Sequence, residues 1–231
     1  MNKSKIDWCD LSWNPVTGCY HGCEYCYARR IAERFGEKPC EQGNCNYAGD
    51  CTKIPSFNCS RYNPYEKIHD LENPKYLYNP MRKMPYPYGF EPTFHRYRLD
   101  EPKKKTKGKN IFVSSMGDLF GEWVPEDWIK AVFEACQDAP QHNYIFLTKN
   151  PKRFQDAILM NSLNITKNMW FGFSVEDQSA LSKLAMGAKW LPVNSFISIE
   201  PIHGAINLTR IEPIEVNVYL NFLDGGQYWF M

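Results

Sequence analysis

The repeating order of strand and then helix along this chain predicts an α/β fold in which a parallel sheet is covered by helices. Three observations carry that expectation. Apolar runs of strand length recur along the second half of the chain, segments with helical periodicity separate them, and turn residues punctuate the joins. With 231 residues, 43% of them hydrophobic and 15% aromatic, the chain can bury one substantial core and is most economically a single domain over 1–231.

The first strand is expected from Ser12 to Val16, ending at a cysteine-rich loop. Tyr27 to Phe35 follows with good helix formers and is closed by Gly36 as a C-terminal cap. Residues 37 to about 100 break the pattern with many Pro, Tyr, Asn and Gly residues, and are expected to form a largely irregular insertion over the sheet. Regular order returns with the β-type run from Asn110 to Ser115. Pro125 to Cys136 then reads as an amphipathic helix with proline and acids in its first turn. The unit repeats, with strands expected at Tyr144–Thr148, Trp170–Val175 and Ser195–Ile199 and helices at Lys152–Leu159 and Gln178–Gly187. Val216 to Phe222 reads as a sixth strand entering Asp224-Gly225-Gly226. The chain then stops at Tyr228-Trp229-Phe230-Met231, so either it is shortened or another element covers the apolar edge of the sheet.

Charge excludes little and directs little. Net charge is +1, with 27 basic and 26 acidic residues, so no global field draws the chain to nucleic acid or to an anionic membrane. The local run Lys103-Lys104-Lys105-Thr106-Lys107-Gly108-Lys109 is either a solvated loop or a phosphate-contacting patch for a nucleic-acid or nucleotide substrate. The N-terminus lacks the apolar core of a secretory signal and no segment has the continuous apolar length of a membrane span, so a cytoplasmic protein without membrane association is expected. In that reducing compartment cysteines are metal ligands or buried thiols rather than disulfides.

Cys19, Cys23 and Cys26 are spaced C-x3-C-x2-C. With 9 cysteines in 231 residues, such a fixed spacing arises by chance roughly once in 75 chains, so chance is a poor explanation. Thiolates are the soft donors that hold iron–sulfur clusters, and three of them leave one iron of a [4Fe-4S] cluster open to a small molecule. The competing readings are a structural zinc site, which wants a second ligand pair that the chain does not offer in compact form, and inert thiols. Four more cysteines, Cys40, Cys45, Cys51 and Cys59, fall in the insertion and amount to a full ligand set for a second cluster or a zinc. Their gaps match no compact motif, and reduced thiols remain the alternative. Cys9 and Cys136 read as small buried apolar residues.

Tyr25 before the third cysteine, together with Trp13-Asn14-Pro15-Val16-Thr17-Gly18, Cys26-Tyr27-Ala28, Ser114-Ser115-Met116-Gly117-Asp118-Leu119-Phe120, Leu147-Thr148-Lys149 and Ser198-Ile199-Glu200-Pro201, resembles the radical S-adenosylmethionine (radical SAM) superfamily. Within it the words resemble the phage-associated Gp37/Gp68 family over nearly the whole chain. The resemblance implies a partial (β/α)6 barrel with its chemistry at the C-terminal strand ends. It also implies a [4Fe-4S] cluster on Cys19, Cys23 and Cys26 whose open iron binds S-adenosylmethionine, and reductive cleavage to a 5′-deoxyadenosyl radical that acts on an unknown substrate. An electron donor such as flavodoxin or ferredoxin is implied as a partner.

Site residues follow from the same resemblance. Tyr25 would pack near the adenine or merely shield the cluster. Ser115, Gly117 and Asp118 stand where superfamily members grip the cofactor ammonium; Gly117 admits close backbone approach, and Asp118 either replaces the usual glutamate or caps a short helix. Thr148 and Lys149 would meet the cofactor carboxylate or an anionic substrate, unless the lysine reaches solvent. Ser174 and Glu176 would bond the ribose hydroxyls, and Glu200 points to the same mouth. Gly225-Gly226 would admit part of the cofactor or form a simple turn. A zinc-stabilised module that binds nucleic acid or protein without catalysis is the alternative function. The substrate itself is not written in the chain.

Overall fold

A computed structural model describes residues 1–36, 67–77, 82–153, 156, 163–187, 194–199, 201–207, 217–221 and 227–230. Its main sheet has eight strands. In chain order these are β1 (Asn2–Lys3), β2 (Leu11–Trp13), β8 (Asn110–Val113), β9 (Asn143–Thr148), β10 (Met169–Ser174), β11 (Ser195–Ile199), β12 (Asn217–Asn221) and β13 (Gln227–Phe230). Their spatial order is the same as their chain order. The six strands from β2 to β12 are mutually parallel, and β1 and β13 pair antiparallel at the two edges. The protein is therefore α/β with a parallel-centred sheet, and all six expected strands exist within a few residues of their expected bounds.

Parallel strands need covering on their faces, and the sequence supplies the cover in its helical segments. Helix α2 (Glu126–Gln137) buries Trp128, Ile129, Val132, Phe133 and Cys136, spaced to make one apolar face. Phe133 stacks on Phe146 of β9 with centroids 4.9 Å apart, and Phe146 stacks on Phe171 of β10 at 5.2 Å. Pro125 stands just outside the first turn, with Glu126 and Asp127 at the positive end of the helix dipole. Helix α3 (Gln178–Gly187) joins β10 to β11 and buries Leu181 and Leu184. Residues 151–153 and 156 are helical between β9 and β10.

Two expectations need correction. The first strand does not run unbroken from Ser12 to Val16: the chain leaves the main sheet after Trp13, and Val16–Thr17 forms a separate strand, β3. Pro15 has no N–H for a ladder, and Asn14 turns its side chain to other work, described below. The insertion is not irregular throughout. Its described part folds into β4 (His69–Leu71), β5 (Tyr76–Leu77), β6 (Arg82–Lys83) and β7 (Thr93–His95). Strand β7 lies between β3, antiparallel, and β4, parallel, while β5 and β6 form a two-stranded ribbon. Of the two readings of the sheet's last edge, the structure shows a covered one, with Gln227–Phe230 forming a strand that pairs antiparallel with β12.

Beneath the cysteine loop the small sheet carries a buried polar contact. Thr17 Oγ1 lies 2.9 Å from His95 Nε2, and His95 Nδ1 lies 3.0 Å from the Tyr97 hydroxyl. Burial, helped by the nearby Arg98 charge, pushes His95 down to about 2, so the ring is neutral at ordinary pH. Cys9 and Cys136 are both buried, as expected of small apolar residues.

Candidate functional site

Because β2 through β12 are parallel, their C-terminal ends share one edge of the sheet, and the residues that follow them meet there. The cysteine loop, Cys19–Cys26, leaves from β3 and ends where Cys26 caps helix α1 (Tyr27–Phe35). Its base is pinned by backbone contact. Gly18 N–H donates to Met116 O at 2.9 Å, and Gly18 bridges to Gly117. A Cβ on Gly117 would lie 2.8 Å from Gly18 O, and one on Gly18 would lie 2.3 Å from Glu91 O. Close approach at Gly117 is thus real, and what approaches is the cysteine loop itself.

Asn14 braces the facing loop: its Oδ1 accepts from Ser115 Oγ at 3.1 Å and Met116 N–H at 2.9 Å. The Ser115 carbonyl accepts from the Tyr27 hydroxyl at 2.6 Å. Ser114 follows β8 with φ 57°, and its buried hydroxyl has no hydrogen-bond partner among the described residues. A strained residue with an unsatisfied polar atom at this edge is the kind of defect that functional sites retain.

Asp118 is buried, and both of its oxygens are taken by this chain. Oδ2 accepts from Thr148 Oγ1 at 3.0 Å and Lys149 N–H at 3.0 Å and meets His21 Nε2 at 2.7 Å, while Oδ1 accepts from Phe120 N–H at 2.9 Å. These contacts make Asp118 a latch that ties the cysteine loop to the ends of β8 and β9. His21 does not face solvent, as a histidine inside a ligand loop ordinarily does. Its ring also packs edge-on against Trp123, with centroids 4.9 Å apart.

Lys149 and Glu176, expected from the sequence to serve one site, form an ion pair at the ends of β9 and β10. The Lys149 ammonium also donates to the Tyr25 hydroxyl at 2.9 Å. Burial lowers the Lys149 pKa, while the nearby cysteines and Asp118 pull the other way. Burial and the neighbouring Cys23 raise that of Tyr25. His203, which no sequence motif singles out, stands 5.0 Å from Tyr25 ring to ring, and its backbone N–H donates to the Glu176 carbonyl at 2.9 Å. Ser174 ends β10 on the same edge, paired in register with Ser198. Glu200, Gly225-Gly226 and the four insertion cysteines Cys40, Cys45, Cys51 and Cys59 lie outside the described residues.

The three loop cysteines are half-buried free thiols. Burial pushes the Cys19 thiol far up, and the nearby Asp118, Cys23 and Cys26 add to the shift, so the three sulfurs share one electrostatic neighbourhood. Backbone amides already face two of them: His21 N–H donates to Cys19 Sγ at 3.5 Å and Arg29 N–H to Cys26 Sγ at 3.4 Å. Among the described residues no three His, Cys, Asp or Glu side chains converge as a single metal ion would require. A polynuclear cluster binds each thiolate on a different iron and asks for wider spacing. Three soft donors, amides aimed at sulfur and a nearby cation suit a cluster of that kind.

The basic run sits elsewhere. Lys103–Lys109 precedes β8 and so lies at the N-terminal edge of the sheet, where Lys103 pairs with Asp138 at 2.6 Å and Lys109 with Asp10 at 3.6 Å. The six residues of β9 set about 20 Å between the two edges. The run therefore does not line the cysteine edge. Among the described residues no helix is long and apolar enough to cross a membrane.

Residues 3–220 match the family described as "Protein of unknown function (DUF5131)". The chain belongs to the DUF5131 family. No curated protein and no solved structure matches it. For this DUF5131 chain the site must therefore speak through its own chemistry: three thiols on one loop, a buried carboxylate latch and a lysine–carboxylate pair at one strand edge.

Proposed function

We propose that the chain is a radical-SAM-type enzyme similar to the phage-associated Gp37/Gp68 proteins, with a [4Fe-4S] cluster held by Cys19, Cys23 and Cys26. The observation that carries the reading is the position of the three-thiol loop, which leaves from β3 between the first two of the six parallel strands and lies on the edge where Tyr25, Lys149 and Glu176 converge. Six parallel strands in unbroken chain order support a partial (β/α)6 barrel, because barrels add each strand beside the last whereas doubly wound sheets reverse part-way. When bound, the cluster would supply one electron to the sulfonium of S-adenosylmethionine, giving methionine and a 5′-deoxyadenosyl radical.

The chain's own residues would bind and orient. Lys149, bonded to Tyr25 of the cysteine loop, suits the cofactor carboxylate, with Glu176 holding it in place until the ligand arrives. Tyr25 and His203 offer ring faces for an adenine, and Ser174 and Glu176 offer hydrogen-bonding groups for a ribose. Asp118 contributes by fixing the loop rather than by touching the ligand. The described cysteines are all free thiols, which fits a reducing, cytoplasmic setting; a protein electron donor such as flavodoxin or ferredoxin is what the family resemblance implies.

Anaerobic reconstitution with iron and sulfide, followed by reduction and assay for 5′-deoxyadenosine, tests the proposal. Product formation that is lost in Cys23→Ala supports it. Stoichiometric zinc with no iron uptake in the wild type contradicts it and favours a metal-stabilised binding module.

A further inference from the structure

The Cys19–Cys26 loop has neither helix nor strand of its own, yet three thiols can capture a cluster quickly and tightly only if they are already arranged. We propose that His21 and Asp118 form a positioning couple that holds this loop in one conformation before any metal arrives and thereby sets how well the three thiols take up iron. The uptake half of the proposal rests on the cluster reading above; the loop-holding half does not.

The geometry argues it in steps. His21 lies between the first two cysteines, and an ionised carboxylate only accepts, so the His21 Nε2 facing Asp118 at 2.7 Å carries the hydrogen. Asp118 is immobile as the other end of that bond, because Phe120 N–H, Thr148 Oγ1 and Lys149 N–H hold it from three further points. Trp123 closes the opposite side, meeting the ring of His21 edge-on and that of Tyr20 at 5.5 Å. With its side chain clamped in this way, His21 directs its backbone N–H at Cys19 Sγ. Turning the loop outward breaks the carboxylate contact and withdraws that N–H together. A simple turn at Asp118 would need only the Phe120 amide. The three contacts on Oδ2 have no such local purpose, and one of them reaches across 97 residues to the ligand loop.

Alkylation of each cysteine by iodoacetamide, resolved by mass spectrometry on the metal-free full chain, reads loop order without any cluster. Iron uptake measured by competition with a chelator reads its consequence. In His21→Ala, Cys19 alkylation is expected to speed about 10-fold or more and apparent iron affinity to fall about 10- to 100-fold, the range typical of lost outer contacts at metal sites. His21→Gln, whose amide N–H can reach Asp118, is expected to restore both to within about 3-fold, a rescue that a purely space-filling histidine would not show. Asp118→Asn, which turns a donor toward the facing donors, should reproduce the alanine effect while the circular dichroism spectrum stays folded. Equal Cys19 alkylation in wild type and His21→Ala overturns the proposal, as does equal iron affinity in a wild type that holds the cluster. Faster alkylation with glutamine rescue in a wild type that takes up no iron keeps the couple and discards the cluster reading.

Discussion

The two edges of the main sheet use charge in opposite ways. At the C-terminal edge the ionisable groups are drawn inward and bonded to partners far away in sequence: Asp118 is buried and joins residues 21, 120, 148 and 149. At the N-terminal edge Lys103, Asp138, Lys109 and Asp10 form surface pairs open to water, each side chain more than 40% exposed. Burying a carboxylate is costly unless its bonds are complete, so the first edge holds an arrangement that the rest of the fold must support. The second edge costs little and fixes little. Sites are built where the fold accepts the first kind of expense.

Removing the latch should break that contrast most forcefully. Asp118→Ala leaves a hydroxyl, two amides and an imidazole without their acceptor, and we expect a loss of about 3–5 kcal/mol in urea unfolding, with the cysteine loop released.

Acid should act next. His95 is held neutral, with its pKa depressed to about 2 against an ordinary value of 6.5. The unfolded chain therefore binds the extra proton first, and the contribution of the buried ring, complete above about pH 6.5, is lost as pH falls. The expected slope from this group is about 1.4 kcal/mol per pH unit below 6.5, or roughly 2 kcal/mol by pH 5. Urea midpoints across that range should fall in the wild type and flatten in His95→Gln. Since His95 lies against Thr17, two residues before the loop begins, this acid sensitivity belongs to the foundation of the cysteine edge.

Gly117→Ala should follow, because the new methyl would press on the Gly18 carbonyl at 2.8 Å; about 1–3 kcal/mol of destabilisation is expected in the same assay. At the far edge, replacing Lys103 and Lys109 with Gln should leave the melting temperature unchanged, and neutralising the whole run should not alter chemistry at the cysteine loop.

The same contrast explains what could be read from the sequence. The six parallel strands and helix α2 announce themselves locally, through apolar runs such as Tyr144–Thr148 and the Trp128, Ile129, Val132, Phe133 face. The cysteine loop was equally plain, since its spacing lies within eight residues. What was not legible depends on distance or brevity. Nothing near Asp118 reveals that His21 and Thr148 will share its oxygens, so a ligand-gripping carboxylate and a structural latch look alike until the chain is folded. Strands β3 to β7 are two or three residues long, too short for periodicity to register.

The central claim is that Cys19, Cys23 and Cys26 together hold a cluster with an open iron. Electron paramagnetic resonance of the anaerobically reconstituted and reduced protein, recorded before and after adding S-adenosylmethionine, tests it most directly. The account expects a reduced four-iron signal that changes on addition of the cofactor and is absent when the three cysteines are replaced by alanine. A wild type that takes up no iron, or a cluster signal indifferent to S-adenosylmethionine, would contradict it.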